Sequence, residues 1–234
     1  MEQKNEEIFN RISIIRKNIQ TALEKAQRSG DDLTLMAVTK TVDVENVNFA
    51  ATCGISLFGE NRVQELLDKY DGYSFKKDKI HFIGHLQTNK VKYIIDKVSM
   101  IESVDTIKLA QEIDKLSNQN SIIMPILLQI NTAKEPTKNG FFFEEIDDAI
   151  KTISTYKNVK IMGLMCIPPK NDSDSSFKKM NDLFQSYKKN PIINTNFRYL
   201  SMGMSDTYEN AIQNNSNIVR IGNAMFSARK ANNI

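Results

Sequence analysis

Apolar residues at Ile8, Ile12, Ile15, Ile19, Leu23 and Ala26 recur at spacings of three and four. That is the period of one helical face, and it predicts an amphipathic helix over 5–29 with Gly30 as its stop. Beyond it the pattern changes to short apolar runs alternating with helix-period segments. The runs fall at 33–40, 55–58, 80–84, 98–104, 122–131, 159–167, 197–203 and 217–222. The segments between them carry Val44, Val47 and Ala51, then Val63, Leu66, Leu67 and Tyr70, then Val91, Ile94 and Ile95. Asp105 is placed to cap the helix bearing Ile107, Leu109, Ile113 and Leu116. A helix over 143–156 carries Ile146, Ala149, Ile150 and Ile153. The polar loop NDSDSS leads into one with Phe177, Met180, Phe184 and Tyr187, and the last holds Tyr208, Ala211 and Ile212. Pro125 is poorly suited to a central strand, so the fifth strand is expected to begin after it.

Eight strands alternating with helices imply parallel strands joined by right-handed crossovers. The expected fold class is α/β: a closed (β/α)₈ TIM barrel with an extra N-terminal helix, or, from the strand count alone, an open doubly wound sheet. No linker or composition shift divides the chain, so a single domain over 1–234 is expected.

Composition narrows the function classes. The chain has 234 residues, 41% hydrophobic and 25% charged, with a formal net charge of +3 and both signs mixed throughout. A nucleic-acid partner would call for a concentrated basic face, and none is expected. No run approaches the roughly 18 apolar residues of a membrane span, and the charged N-terminus is unlike a signal peptide. A cytoplasmic protein is the expectation. Cys53 and Cys166 are too few for a disulfide framework. His81 and His85 are four apart, but on a strand and its following loop rather than one helical face, so no metal site is expected.

Polar and small residues gather where strands end: Thr39-Lys40, Gly59-Glu60-Asn61, Gly84 to Gln87, Asn131, Pro168-Pro169, Ser201 to Ser205 and Gly222-Asn223. In a barrel these ends share one face, the face that carries the active site of barrel enzymes. Lys40 ends an apolar run, and burial at the barrel mouth would favour the neutral amine that Schiff-base chemistry needs. SMGMSD at 201–206 joins Gly203 and two serines to a helix start, with Glu209 as a capping partner for Asp206. Backbone amides there can hold a phosphate. Arg220 and Gly222 close the next strand, and loops after strands seven and eight are the recurrent phosphate site of barrels.

Several blocks occur in a definite order: AVTK at 37–40, FGEN at 58–61 and HFIGHLQTNK at 81–90 come first. N-x₃-E-x₂-K-x-G from Asn131 to Gly140, GLMCIPP at 163–169, LSMGMSD at 200–206 and RIGNAMF at 220–226 follow. On these the chain resembles the pyridoxal 5′-phosphate (PLP) homeostasis proteins, single-domain relatives of the N-terminal barrel of alanine racemase. The resemblance implies a fold-type III barrel binding PLP as a Schiff base on Lys40. It implies phosphate contacts from Ser201, Gly203, Ser205, Arg220 and Gly222, and places Asn61 near the cofactor. Thr39 stands where many members have serine, and Ser227 where glycine is usual.

PLP is an electron sink whose reaction is chosen by the acids and bases around it. Racemases of this kind draw a second base, a tyrosine, from a partner subunit and carry a C-terminal β-domain. The sequence runs only a few residues past the last barrel strand, so a non-enzymatic role is expected: cofactor homeostasis and delivery by a monomer, with transient contact to PLP-requiring apoenzymes. The alternatives are a PLP-dependent amino-acid racemase with an open site, and a cofactor-free barrel enzyme acting on a phosphorylated metabolite.

Overall fold

The computed structural model describes residues 2–30, 33–135, 138–169 and 171–227. Eight strands pair in parallel in chain order and β8 returns to β1, closing the barrel and excluding the open sheet. They are β1 (Thr34–Val38), β2 (Leu57–Glu60), β3 (Ile80–Phe82), β4 (Met100–Val104), β5 (Met124–Ile130), β6 (Val159–Cys166), β7 (Thr195–Ser201) and β8 (Ile218–Ile221). Around them lie α1 (Glu2–Lys25), α2 (Val44–Thr52), α3 (Val63–Tyr70), α4 (Ile107–Gln119), α5 (Ile146–Ile153), α6 (Ser173–Lys189), α7 (Tyr208–Gln213) and α8 (Asn223–Phe226). The segment expected as a helix after β3 is instead a 3-10 turn, Thr88–Tyr93, whose Val91 is fully buried.

The first helix ends earlier than Gly30. Gln27 turns left-handed at φ 54°, its amide donates to Glu24 and that of Arg28 to Leu23, which satisfies the last carbonyls without a glycine. The fifth strand includes Pro125, at its second residue, where a missing N–H interrupts little of the ladder. Helix α4 is capped by Thr106, which accepts from the Leu109 amide, rather than by Asp105. The run NDSDSS is not all loop, since α6 starts at Ser173 within it. Thr207, rather than Asp206, is the N-cap residue of α7; its hydroxyl accepts from the Met204 amide in the preceding turn, and among the described residues no side chain caps the helix.

Two apolar layers hold the structure. One lies between the strands and the helices on the β3–β7 side. In the other, the Ile8, Ile12, Ile15, Ile19 and Leu23 stripe of α1 packs on Val47, Tyr208, Ile212 and Met225, so the extra helix seals the β8–β1 flank. Met36, Leu57 and Ile218, with Met100, Leu127 and Met165, fill smaller buried clusters among the strands. None of the described helices is long and apolar enough to cross a membrane.

Candidate functional site

At the C-terminal ends of the strands a cavity of about 450 Å³ opens, within the range of small-molecule sites. Of the seven residues expected there, Lys40, Asn61, Ser205, Arg220 and Gly222 line it. Ser201 and Gly203 are buried beneath it.

Lys40 lies two residues past β1, on a turn rather than at a strand end, because the strand stops at Val38. It is exposed, so the expected shielding of its amine by burial is not present. The turn is held from both sides. Thr39 Oγ1 donates to Glu60 Oε1 (2.5 Å), and the Thr39 carbonyl accepts from Lys69 Nζ (2.9 Å). The Thr41 amide, at a left-handed φ of 59°, donates to Glu65 Oε1 (2.5 Å). Lys69 also pairs with Glu60 (3.0 Å) and Glu65 (2.9 Å), and the Tyr73 hydroxyl donates to Glu60. Burial, then the Glu60 carboxylate, push the Tyr73 hydroxyl well above its ordinary range. Among the described residues the Lys40 amine has no hydrogen bond or ion pair.

Next to it, Asn61 buries its Oδ1 with no partner, a group that a bound ligand can satisfy. Gly84 allows this wall to close: a Cβ there would stand 2.0 Å from the Asn61 carbonyl oxygen. Across the cavity Ser205 Oγ accepts from the Ala224 amide (3.3 Å), leaving its own proton free, and Gly222 starts α8. Gly203 serves this end indirectly. Its φ is 94°, and a Cβ would come 2.6 Å from that of Ala211, so the glycine lets α7 pack against the turn.

The floor is charged. Arg220 Nη1 donates to Ser201 Oγ (2.7 Å) and Nη2 to the Cys166 carbonyl (2.8 Å). Ser201 Oγ in turn donates to Glu102 Oε2 (2.5 Å), and Glu102 Oε1 meets His81 Nδ1 (2.7 Å). Burial pushes the Glu102 carboxyl up, but the hydrogen bond and charge of His81, the charge of Arg220 and the Ser201 bond hold it below the usual range. Burial, partly opposed by Glu102, lowers Arg220. The guanidinium is thus committed to the barrel interior as well as to the cavity, and Ser201 is its link to Glu102. Sequence reading missed this chain and the Glu60–Lys69–Tyr73 cluster. The available signal was a single glutamate inside each of two strand-like stretches, FGEN and MIESV.

The rim is completed by His85, Gln129, Asn131, Lys138 and Asn139. Asn131 Nδ2 donates to the carbonyls of Glu135 and Lys138, each at 2.9 Å, which holds Lys138 over the opening. Lys138 Nζ is paired with Glu135 (2.8 Å). Tyr199 and Tyr208, near these loops in sequence, are turned elsewhere: Tyr208 packs under α1 and Tyr199 among the strands.

Residues 11–230 match the alanine racemase N-terminal domain family. The chain is 39% identical to the pyridoxal phosphate homeostasis protein of Aquifex aeolicus, over 94% of this chain and 97% of that one. A crystal structure of an unknown protein from Bifidobacterium adolescentis superposes with a TM-score of 0.91 at 29% identity, covering 97% of each chain. PipY of Synechococcus elongatus, solved without PLP, superposes at 0.81 with 25% identity, over 94% of this chain and 100% of that one. With a match through nearly the whole sequence and a relative aligned almost end to end, the chain belongs to the alanine racemase N-terminal domain family, on the side occupied by the pyridoxal phosphate homeostasis proteins.

Proposed function

We propose that the cavity binds PLP, held as a Schiff base on Lys40, and that the protein serves intracellular PLP homeostasis and delivery. One observation carries the reading: an unpaired primary amine and an orphaned buried amide oxygen, Lys40 and Asn61, border the same 450 Å³ cavity. When bound, PLP supplies an aldehyde that condenses reversibly with amines and a ring that accepts electron density. The Ser205 hydroxyl and the α8 start at Gly222 suit its phosphate, while Arg220 supplies positive charge from the floor. Ser201 holds that arginine in place, and Gly203 shapes the turn that presents Ser205.

A binding role is favoured over racemisation because the relatives carry the name of a homeostasis protein rather than of an enzyme. We further propose that residues 1–234 act as one domain and a monomer in the cytoplasm, and that transient contact with PLP-requiring apoenzymes completes delivery.

Borohydride reduction of the PLP-treated protein, followed by peptide mapping, should place the modification on Lys40. Lys40→Ala should lose the visible absorbance while keeping its circular dichroism. Full-stoichiometry colour in that variant would transfer the role to another amine, Lys138 being the one on the rim. Sedimentation should return a mass near 26.7 kDa, and a stable dimer would overturn the monomer. Turnover of any amino acid by the loaded protein would favour the racemase alternative.

A further inference from the structure

His85 and Asp105 form a dyad on the cavity rim that the reading above leaves without a task. His85 Nδ1 lies 3.0 Å from Asp105 Oδ2. The Asp105 side chain is 6% exposed and that of His85 53%, so the carboxylate is shielded while the ring faces the opening. Because α4 takes Thr106 as its cap, Asp105 is free for the histidine. A carboxylate accepting from Nδ1–H fixes the tautomer and leaves the lone pair on the other ring nitrogen. That nitrogen has no hydrogen-bond partner among the described residues.

The backbone carrying the ring is fixed on both sides. Ser103 Oγ donates to the Gly84 carbonyl (2.5 Å), Gly84 is wedged against Asn61, and Leu86 is buried. An imidazole oriented by a shielded carboxylate, on a pinned backbone, in the same cavity as an unpaired amine, is the arrangement of a general acid–base group.

We propose that His85 is the proton-transfer residue for covalent capture and release of the aldehyde at Lys40, with Asp105 as its positioning residue. The inference rests on the PLP-binding reading. In capture, the Lys40 nitrogen pair forms a bond to the aldehyde carbon as the carbonyl π pair moves onto oxygen. The nitrogen then gives up a proton, which frees the pair of that N–H bond. The carbon–oxygen bond breaks, the oxygen, by then protonated, leaves as water, and the freed pair closes the carbon–nitrogen double bond before the last N–H proton is released. Amine and aldehyde give imine and water with no change of oxidation state. Protons only move from nitrogen to the departing oxygen, and a group that takes one and returns it speeds both directions. An incoming amine displaces Lys40 by the same exchange.

The other ionisable groups on the cavity suit this less well. Arg220 does not give up its proton, Lys138 is paired with Glu135, and the exposed Asp206 has no hydrogen-bond partner to orient it among the described residues.

The test is kinetic. Apo protein is mixed with PLP and the visible absorbance followed, then loaded protein is challenged with glycine as the probe amine. His85→Ala should slow capture and release alike, by about 100-fold, with the equilibrium affinity unchanged within about twofold. Added imidazole should restore the rate. His85→Gln, which can still donate to Asp105, should be equally slow, while Asp105→Asn should fall between. Circular dichroism of each variant checks the fold. If wild type attaches PLP and His85→Ala keeps pace, or loses affinity in proportion to rate without imidazole rescue, this inference alone is overturned. If wild type never forms the covalent bond, the reading beneath it falls too.

Discussion

Replacing Glu102 with alanine removes the only carboxylate that, among the described residues, is bonded to the Arg220–Ser201 chain. In the folded protein Glu102 is fully buried and Arg220 is 4% exposed. The guanidinium would keep two neutral acceptors, Ser201 Oγ and the Cys166 carbonyl, while His81 loses its partner. Glu102 and Arg220 are joined through Ser201 rather than in direct contact, and leaving a buried charged group without its hydrogen-bonded partner costs about 1.5–3 kcal/mol. Arg220 borders the open cavity on its other side and keeps its two acceptors, so a loss of about 2 kcal/mol is expected. The cycle of Glu102→Leu, Arg220→Met and the double variant separates charge pairing from packing. With both charges gone, the double variant should be more stable than the sum of the single losses predicts, by about 2 kcal/mol. The assay is chemical unfolding followed by circular dichroism and tyrosine fluorescence, since the chain has seven tyrosines and no tryptophan. Coincident transitions license the free energies. Additivity within about 0.5 kcal/mol would refute coupling through Ser201.

The same carboxylate gives an acid limb to stability. Its folded value lies below the ordinary 4.5, so its contribution is whole above that pH and is lost as pH falls through the folded value; Glu102→Gln should flatten the limb measured by thermal unfolding. Burial lifts the Cys166 thiol to about 12, so a thiol reagent at neutral pH should titrate the half-buried Cys53 in the native protein and reach Cys166 only in denaturant. Ser205→Ala should weaken PLP binding by about tenfold, the worth of one charge-assisted hydrogen bond, and leave pyridoxal binding unchanged in a spectroscopic titration; equal losses for both ligands would place the phosphate elsewhere.

Where a strand is a mostly apolar run, its position was legible: β1, β6 and β8 lie within the stretches read from the pattern. β2 was read two residues early, because its last two residues are Gly59 and the buried Glu60. A carboxylate looks like the end of a strand until Thr39, Lys69 and Tyr73 are known to surround it. The rim of the site was legible because polar residues cluster at strand ends, and the ordered blocks singled out Lys40 among many lysines. The floor was not. Glu102 and Ser201 are 99 positions apart, and only barrel closure brings them together. Arg220 was read as a phosphate ligand from its place in the chain, which says nothing of a guanidinium turned inward.

The seal that α1 makes over the β8–β1 seam bears on how the protein is born. The apolar stripe of the first helix is covered partly by Tyr208, Ile212 and Met225, and β1 finds one of its two neighbours only in β8, which starts at Ile218. At ordinary translation speeds about 10–40 s separate the synthesis of β1 from that of β8. Through that interval the nascent chain carries an uncovered isoleucine stripe and an open sheet edge. Non-local pairing of this kind slows folding, so demand on ribosome-associated chaperones should rise with any substitution that delays docking of the last two βα units.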